Sequence, residues 1–589
     1  MFRRKEKIMK KNTLYIIIAL ACAGLTGCKD SFLDKNPDMR AVIDTKDKVR
    51  LLLVSAYTDA NSGPLMEYSS DNIVDNNAPD ATGHTKSLIP VSKMYDEIFA
   101  WQPVVSSGTQ DSPKYIWNGH YSAIAACNQA LKAIAELEAK GINMDAEKAE
   151  ALLSRAYHHF LLACVFCHAY KGDQTSSQDL GLVYMTEPET SVKPTYHRET
   201  LDKTYAHIEE DLEAGLELVS DEYYSVPKYH FNVKAAHAFA VRFYLYKRDW
   251  DKVIEHADIV LGTDPEMTRA LLFDNYNAHV TCTDFEQESY AWIDPNSPSN
   301  LLLSTSYSSE PYANYPSYAR YQCAGNALDY SLLSAGPIWK KRSLIASLSV
   351  WSFGSDHYGS FLAKHADFFE YTDKVNGYGF IHAITRQLTT NETLLSRAEA
   401  KVMKNDLTGA VEDLRTWCLA YDINDRPSMD TMMIGDSVVR ANLQPEKIKN
   451  FYATNQGESH NAVVLHPEGE DAKGEAFVVN NDILPFIRCC LHFRRIETIH
   501  DGWRWMDLKR YGIEITHIQG TSGPQVLKYD DPRRAIQLPQ EVILAGLEAN
   551  PELGTPSGSG ASVLAPDDKE DQPILNPRIT GFTATRLTE

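Results

Sequence analysis

Apolar and small residues recur at helical spacing along much of this chain. Between 149 and 167 they fall at Ala149, Leu152, Leu153, Ala156, Phe160, Ala163 and Cys167, the i, i+3, i+4, i+7 stripe of an amphipathic helix. Ile116, Ile124, Cys127, Leu131 and Ile134 predict another helix over 116–137. Two echoes run through the pattern. Leu152-Leu153-Ser154-Arg155-Ala156 recurs as Leu394-Leu395-Ser396-Arg397-Ala398. One helix ends at Lys247-Arg248-Asp249 and Trp250 opens the next, with Val253, Ala257 and Val260 along it and Pro265 closing it. A second helix runs to Lys404-Asn405-Asp406 and is followed by Ala410, Leu414 and Trp417 at the same offsets.

This is the pattern of tetratricopeptide (TPR) helix hairpins. A single hairpin cannot bury its apolar face, so several must stack. Between 265 and 390 the helical period fades. Tyr290, Trp292, Tyr307, Tyr312, Tyr315, Tyr318, Tyr321, Tyr330, Trp339 and Trp351 lie there among Pro, Ser, Asn and Gly. The reading is a mostly α chain: a TPR-like hairpin scaffold carrying a long, mostly irregular insertion. Residues 555–589 are rich in Pro, Gly, Ser and Asp and read as a loose tail.

The start of the chain has a different grammar. Basic residues lead into an apolar run from Leu14 to Ala23, about half the roughly 20 residues a membrane-spanning helix needs, as in a signal-peptide core. Met9 also offers a start, since Met9-Lys10-Lys11 makes a compact signal. The run ends in Leu25-Thr26-Gly27-Cys28, which resembles the bacterial lipobox, where the cysteine is lipidated after cleavage. Several acyl chains would hold such a protein to a membrane, each buried CH₂ contributing about 0.8 kcal/mol. No later run is long and apolar enough to span a bilayer.

Charge narrows the partners. The net charge is −21, and residues 1–27 carry +5, so the remainder stands at −26. A body this acidic is repelled by phosphate backbones, which disfavours nucleic acid. The 31 Tyr and 9 Trp supply amphipathic ring surface instead. Cys164 and Cys167 are spaced like half a zinc site. They sit in an apolar helical stretch with no second pair, and buried free thiols suit that setting better. The ten cysteines form no regular framework. Asp71–Asp80 is dense in Asp and Asn but lacks the glycine and closing glutamate of an EF-hand, which favours a solvated loop over a calcium site. No phosphate loop, His-Glu-x-x-His helix or Gly-x-Ser-x-Gly elbow is present. With 79 Asp and Glu, carboxylate pairs are unavoidable and single out no glycosidase centre.

Lipobox, helix pairs and aromatic insertion together resemble the SusD/RagB family of nutrient-binding lipoproteins. Two C-terminal stretches sharpen the likeness. Arg494-Arg495-Ile496-Glu497 with Gly502–Gly512 looks like the family's "ER…E…EG.R..DL.RWG" motif, and Ile536–Glu541 with Asn550–Leu553 looks like its closing "PIP..E…NP.L". The Leu395–Trp417 pair resembles its "RAEA…G….A..DLN..R" hairpin. Asp501 stands where the family usually has Glu, Gln537 replaces a usual Pro, and the tail beyond Leu553 is longer than usual. Within Gly502–Gly512, Arg504, Asp507 and Arg510 share a helix face for a charge network, with Trp505 and Leu508 turned to the core.

The resemblance implies a division into a signal peptide at 1–27, an N-terminal SusD-like region at 28–264, the insertion at 265–390, a C-terminal region at 391–554 and the tail at 555–589. It implies lipidation at Cys28, attachment to the outer membrane facing outside the cell, and delivery of a nutrient to a SusC-like TonB-dependent transporter barrel. The nutrient is expected to be a glycan or oligosaccharide. A peptide, as in the RagB branch, is the close alternative, and a surface glycosidase or a TPR protein-binding scaffold are the others. No catalysis, cofactor or metal is expected. Family ligand rings come from loops outside the scaffold, which makes Trp101 a candidate. Trp292, Tyr312, Tyr315 and Trp351 are further candidates as exposed rings, each with burial in its own local core as the alternative.

Overall fold

The computed structural model describes residues 43–551 except 81, 91, 106–109, 191–194, 274–281, 283–284, 309–318, 324–349, 354–360, 363, 365–366, 421–435 and 454–463, and beyond 551 two short strands. Cys28 lies outside the described residues. The helices that matter below are α1 (Lys46–Leu53), α2 (Gly63–Ser69), α3 (Lys93–Phe99), α4 (Pro113–Glu138), α5 (Asp145–Phe166), α6 (Leu201–Leu218), α7 (Val233–Lys247), α8 (Trp250–Leu261), α9 (Thr390–Met403), α10 (Leu407–Leu419), α11 (Pro445–Ala453), α12 (Leu484–Glu497) and α13 (Arg504–Arg510). The helices expected over 116–137 and 149–167 are α4 and α5. Ser112 starts α4 by accepting a hydrogen bond from the Tyr115 amide at 3.1 Å, with Pro113 at the first helical position.

The chain is mostly α, and its frame is a set of paired helices: α4 with α5, α5 with α6, α7 with α8, α9 with α10 and α11 with α12. The echoed turns have one physical basis. Arg248 (φ 64°) and Asn405 (φ 61°) both take the left-handed conformation that reverses the chain. The next residue then caps the second helix: Asp249 accepts from the Lys252 amide and Asp406 from the Gly409 amide. The echoed Leu-Leu-Ser-Arg-Ala string also repeats a contact. Arg155 on α5 makes a bidentate pair with Asp211 on α6 (2.6 and 2.7 Å), and Arg397 on α9 does the same with Asp413 on α10 (2.8 and 3.0 Å).

The C-terminal motif locks the two ends of the chain together. Glu399 on α9 is fully buried and accepts from Arg494, from Arg510 and from the Tyr511 hydroxyl (2.6 Å), while Asp507 accepts from Arg494 and Arg510 at 2.9 Å each. The expected charge network thus forms at Asp507 and Arg510. Arg504 turns the other way and pairs bidentately with Asp71 at 2.8 Å. Trp505 and Leu508 are fully buried, as expected. Burial alone would raise the Asp71 carboxyl, but Arg495 and Arg504 overcome it and hold the group well below the usual carboxylate range. Gly502 (φ 82°) passes so close to α2 that a Cβ there would lie 2.5 Å from the Gly63 carbonyl oxygen.

The stretch 265–390 departs from the expected irregular insertion. Its described residues include β2 (Asn300–Tyr307), β4 (Asp367–Asp373) and β5 (Tyr378–Thr389), with β5 antiparallel to both others. The remaining strands used below are β1 (Val74–Asp75), β3 (Tyr321–Gln322), β6 (Ile515–Ile518) and β7 (Pro524–Leu527). The β4–β5 reversal rests on Asn376-Gly377, a hairpin signal, with Gly377 at φ 75°. β5 then runs into α9, which Thr389 caps. From the tail, Ile574–Leu575 pairs with β5, and Ala584–Arg586 pairs with the short strand Val350–Phe353.

The eight cysteines among the described residues are free, and Cys164 and Cys167 are buried in α5 and at its end. Among the described residues no three His, Cys, Asp or Glu side chains are grouped to hold a metal. The carboxylates of the 71–80 stretch have other work: Asp71 and Asp75 bind arginines, and Asp80 closes a turn onto Thr82 and His84. No helix among the described residues is long and apolar enough to cross a membrane.

Candidate functional site

α3 ends in a tight turn at Phe99-Ala100-Trp101, and the segment beyond it forms one wall of a cleft of about 640 Å³. Asp96, Glu97, Gln102 and Val105 line that wall. The insertion contributes Arg320, and the β6–β7 turn contributes Gln519 to Ser522. The N-terminal loop and the insertion, far apart in sequence, meet at this cleft.

Charged groups hold this junction. β1 and β3 pair as a two-residue ladder, which brings Arg320 onto Asp75 (Nη2 to Oδ2, 2.8 Å) and onto Asp96 (Nη1 to Oδ1, 2.8 Å). The Tyr321 hydroxyl donates to the same Asp96 oxygen. Burial, then Asp96, pushes that phenol above its usual value, so it remains a donor. Gln519 Nε2 donates to the Asp96 carbonyl (3.1 Å) and to Tyr321 Oη (2.9 Å), and the Gly520 amide donates to Asp75. The inner charges are therefore paired within the wall. Gln102, Thr521 and Ser522 remain exposed at the opening, amide and hydroxyl groups suited to polar ligand atoms, beside the exposed Lys93, whose ammonium lies 3.6 Å from Glu97.

The exposed-ring expectation is corrected at two positions. Trp101 is 6% exposed. The His517 ring lies between Phe99 (4.0 Å) and Trp101 (4.2 Å), both stacked, and Trp101 Nε1 donates to the Ser69 carbonyl at 2.9 Å. The ring buttresses the cleft wall from behind and sets the direction of Gln102, whose amide bonds the Glu97 carbonyl. Trp292 is fully buried, stacked on Phe273 at 4.0 Å, with the Arg386 guanidinium 4.5 Å from its ring. Both rings found partners that sequence spacing did not reveal. Tyr312 and Tyr315 lie outside the described residues. Trp351 sits in the strand Val350–Phe353, opposite Arg586. Sequence reading missed Asp96, Gln102, Arg320 and the 519–522 turn; only Gly520-Thr521-Ser522-Gly523, a run of turn formers, carried a visible signal.

Residues 31–245 match the SusD-like family model described as "Starch-binding associating with outer membrane". Over that region the chain is similar to the SusD-like family. The fold extends the likeness. A SusD superfamily protein from Bacteroides fragilis superposes with a TM-score of 0.52 at 16% identity, covering 85% of this chain and 98% of that one. A SusD superfamily protein from Bacteroides vulgatus gives 0.54 at 16% identity, covering 86% and 98%. A SusD-like carbohydrate binding protein from Bacteroides vulgatus gives 0.50 at 15% identity, covering 85% and 96%. At such identities the structural likeness speaks for the fold alone. None of the curated protein sequences compared matches this chain.

Proposed function

We propose that this SusD-like chain is a non-enzymatic lipoprotein, anchored through Cys28 to the outer membrane and facing outward. It captures an oligosaccharide in the cleft between the 102–105 loop, Arg320 and the 519–522 turn, and passes it to a SusC-like TonB-dependent transporter barrel. The observation that carries the reading is the family match over 31–245, whose description joins starch binding to the outer membrane. The cleft supports it: its opening offers amide and hydroxyl groups that bond sugar hydroxyls.

Calorimetry of the chain from residue 29 onward, titrated with malto-oligosaccharides and a panel of other oligosaccharides, tests the ligand. Saturable binding without turnover is expected. Gln102→Ala and Ser522→Ala should each weaken it several-fold, about 1 kcal/mol for each hydrogen bond lost. Turnover would make the protein a glycosidase. Binding of peptides with no response to any glycan would make it a peptide importer. The anchor is read separately: Cys28→Ala should move the protein from the membrane fraction to the soluble one.

A further inference from the structure

Two buried histidines form a chain whose protons are placed by geometry. His120 on α4 and His158 on α5 face each other through Nδ1 at 2.9 Å, and His158 Nε2 lies 2.7 Å from the Ala56 carbonyl. A carbonyl only accepts, so His158 Nε2 carries a hydrogen, and in the neutral ring its Nδ1 must accept. His120 Nδ1 therefore donates to it, which leaves His120 Nε2 without a hydrogen. Both rings are buried, and His120 Nε2 has no hydrogen-bond partner among the described residues. A further proton that keeps the ring–ring bond must place a hydrogen on His120 Nε2, where no described group accepts it. It also adds a buried charge that neither ring's hydrogen bonds bring to a carboxylate.

The carbonyl they hold belongs to the first described stretch of the chain. α1 runs into the turn Val54–Ala56, and the next residues cross α4 at Gly119, where a Cβ would lie 2.5 Å from Thr58 Oγ1. Val49, Leu53 and Ala56 pack on Cys127, Ala130 and Ile134 in a small apolar cluster separate from the main core. Ionisable groups surround the stretch. Glu147 pairs with Arg50 (2.8 Å) and Lys46 (3.4 Å), Glu150 accepts from Tyr57 Oη (2.6 Å) and Tyr223 Oη and lies 2.7 Å from His230 Nδ1, and the Asp59 carboxylate bonds Tyr115. His159, beside the pair on α5, is committed to the Arg155 carbonyl and the Met185 amide. We propose that His120 and His158 form an acid-released latch: neutral, they fasten the strap Lys46–Ala60 across α4 and α5, and once protonated they let it lift while the core stays folded. The strap is the part that yields because it supplies the latch's carbonyl and rests on its own small cluster, whereas α4 and α5 are built into the main core. Burial, then His158, holds the His120 imidazole well below its usual value, and burial takes His158 from 6.5 to about 4 against the Ala56 bond. The closed latch thus refuses a proton that the open strap accepts, so its hold is full above about 6.5 and weakens as pH falls towards about 4. With Cys28 as the anchor, release would lengthen the lead between membrane and body, but the latch itself does not rest on that reading.

Hydrogen exchange of the chain from residue 29 onward tests it, read as protection factors at about pH 7 and about pH 5, on either side of the ordinary histidine value. Peptides within Lys46–Ala60 should lose protection at least about tenfold on acidification, and those within α7 should change by less than about threefold. The double variant His120→Gln with His158→Gln can keep both hydrogen bonds, amide to amide and amide to the Ala56 carbonyl, and cannot titrate. Its strap should hold the same protection at both pH values, although Glu147, Glu150 and His159 still respond to acid. If the double variant melts early at neutral pH, either single variant should cut the acid loss at least about threefold, since one titrating ring remains. A wild-type strap that keeps its protection, an α7 that loosens as much as the strap, or a folded variant that loosens as the wild type does overturns the proposal.

Discussion

Leu-Leu-Ser-Arg-Ala opens the same contact in two halves of the molecule, yet the surroundings differ. In the N-terminal half, Arg155 clamps Asp211 and also donates to Asn128 Oδ1 (2.8 Å) and the Thr186 carbonyl (3.1 Å), so it ties α5 to neighbours on either side. In the C-terminal half, Arg397 clamps Asp413 and reaches back to Asp258 on α8 and the Gly262 carbonyl at 2.7 Å each. The acids differ as well. Asp413 has a second cation, Lys401 at 2.8 Å, whereas the other partner of Asp211 is the neutral Tyr184 hydroxyl at 2.5 Å. A short string can specify a clamp, but tertiary neighbours decide how much depends on it.

The difference ranks the clamps. Arg155→Ala leaves Asp211 buried with only neutral support and should cost about 3–5 kcal/mol in urea unfolding, the range for orphaning one member of a buried pair. Arg397→Ala should cost less, about 2–3 kcal/mol, because Lys401 still faces Asp413. Equal losses would mean that the second cation does nothing for Asp413.

Glu67 shows what a buried carboxylate does without an arginine. It sits fully buried on α2, accepting from Asn72 Nδ2 (3.0 Å) and the His500 amide (3.1 Å) through Oε1, and Oε2 has no hydrogen-bond partner among the described residues. Burial pushes its carboxyl up from 4.5 to about 7, against the two hydrogen bonds. The folded state therefore holds the proton more tightly than the unfolded one. The stabilisation is full below pH about 4.5 and is lost as pH rises through about 7. Glu67→Gln keeps Oε1 and removes the charge, so it should stabilise the protein on the order of 2 kcal/mol at alkaline pH and change little at acidic pH. Thermal melts of both proteins across pH 4 to 9, an interval of about five units around that window, check it. Curves that stay parallel would show that Glu67 is not the group being titrated.

The helix pairs were legible because their signal is local. A 3.6-residue stripe and an Asp cap after a turn are each written within a dozen or so residues. The sheet was less visible, since the aromatic, turn-rich composition of 265–390 masked the Asn376-Gly377 hairpin. The cleft was visible only in outline. Its elements, an N-terminal loop and the insertion, follow from the family resemblance. Its residues depend on pairings such as Arg320 with Asp75, 245 positions apart. Trp101 and Trp292 show the same limit from the other side. A ring in a loop-like stretch looks free until His517 or Phe273 is known to cover it.

The echoed turns give the smallest effect and the finest comparison. Arg248 and Asn405 share the left-handed conformation, which costs most residues about 1 kcal/mol or more and Asn less. Their side chains are used differently. Arg248 is buried, donates to the Glu468 and Glu470 carbonyls and lies 3.9 Å from the Phe477 ring centre, holding the 468–477 segment against α7. Asn405 is exposed on its turn. Glycine at position 405 relieves the backbone but also loosens the unfolded chain, two effects of opposite sign. Asn405→Gly should therefore shift stability by no more than about 0.5 kcal/mol. Arg248→Gly, measured in the same urea experiment, should destabilise clearly, because the relieved turn is outweighed by the buried carbonyls it leaves unpaired. If both variants behave alike, the backbone alone governs these turns, and the second role assigned to Arg248 is wrong.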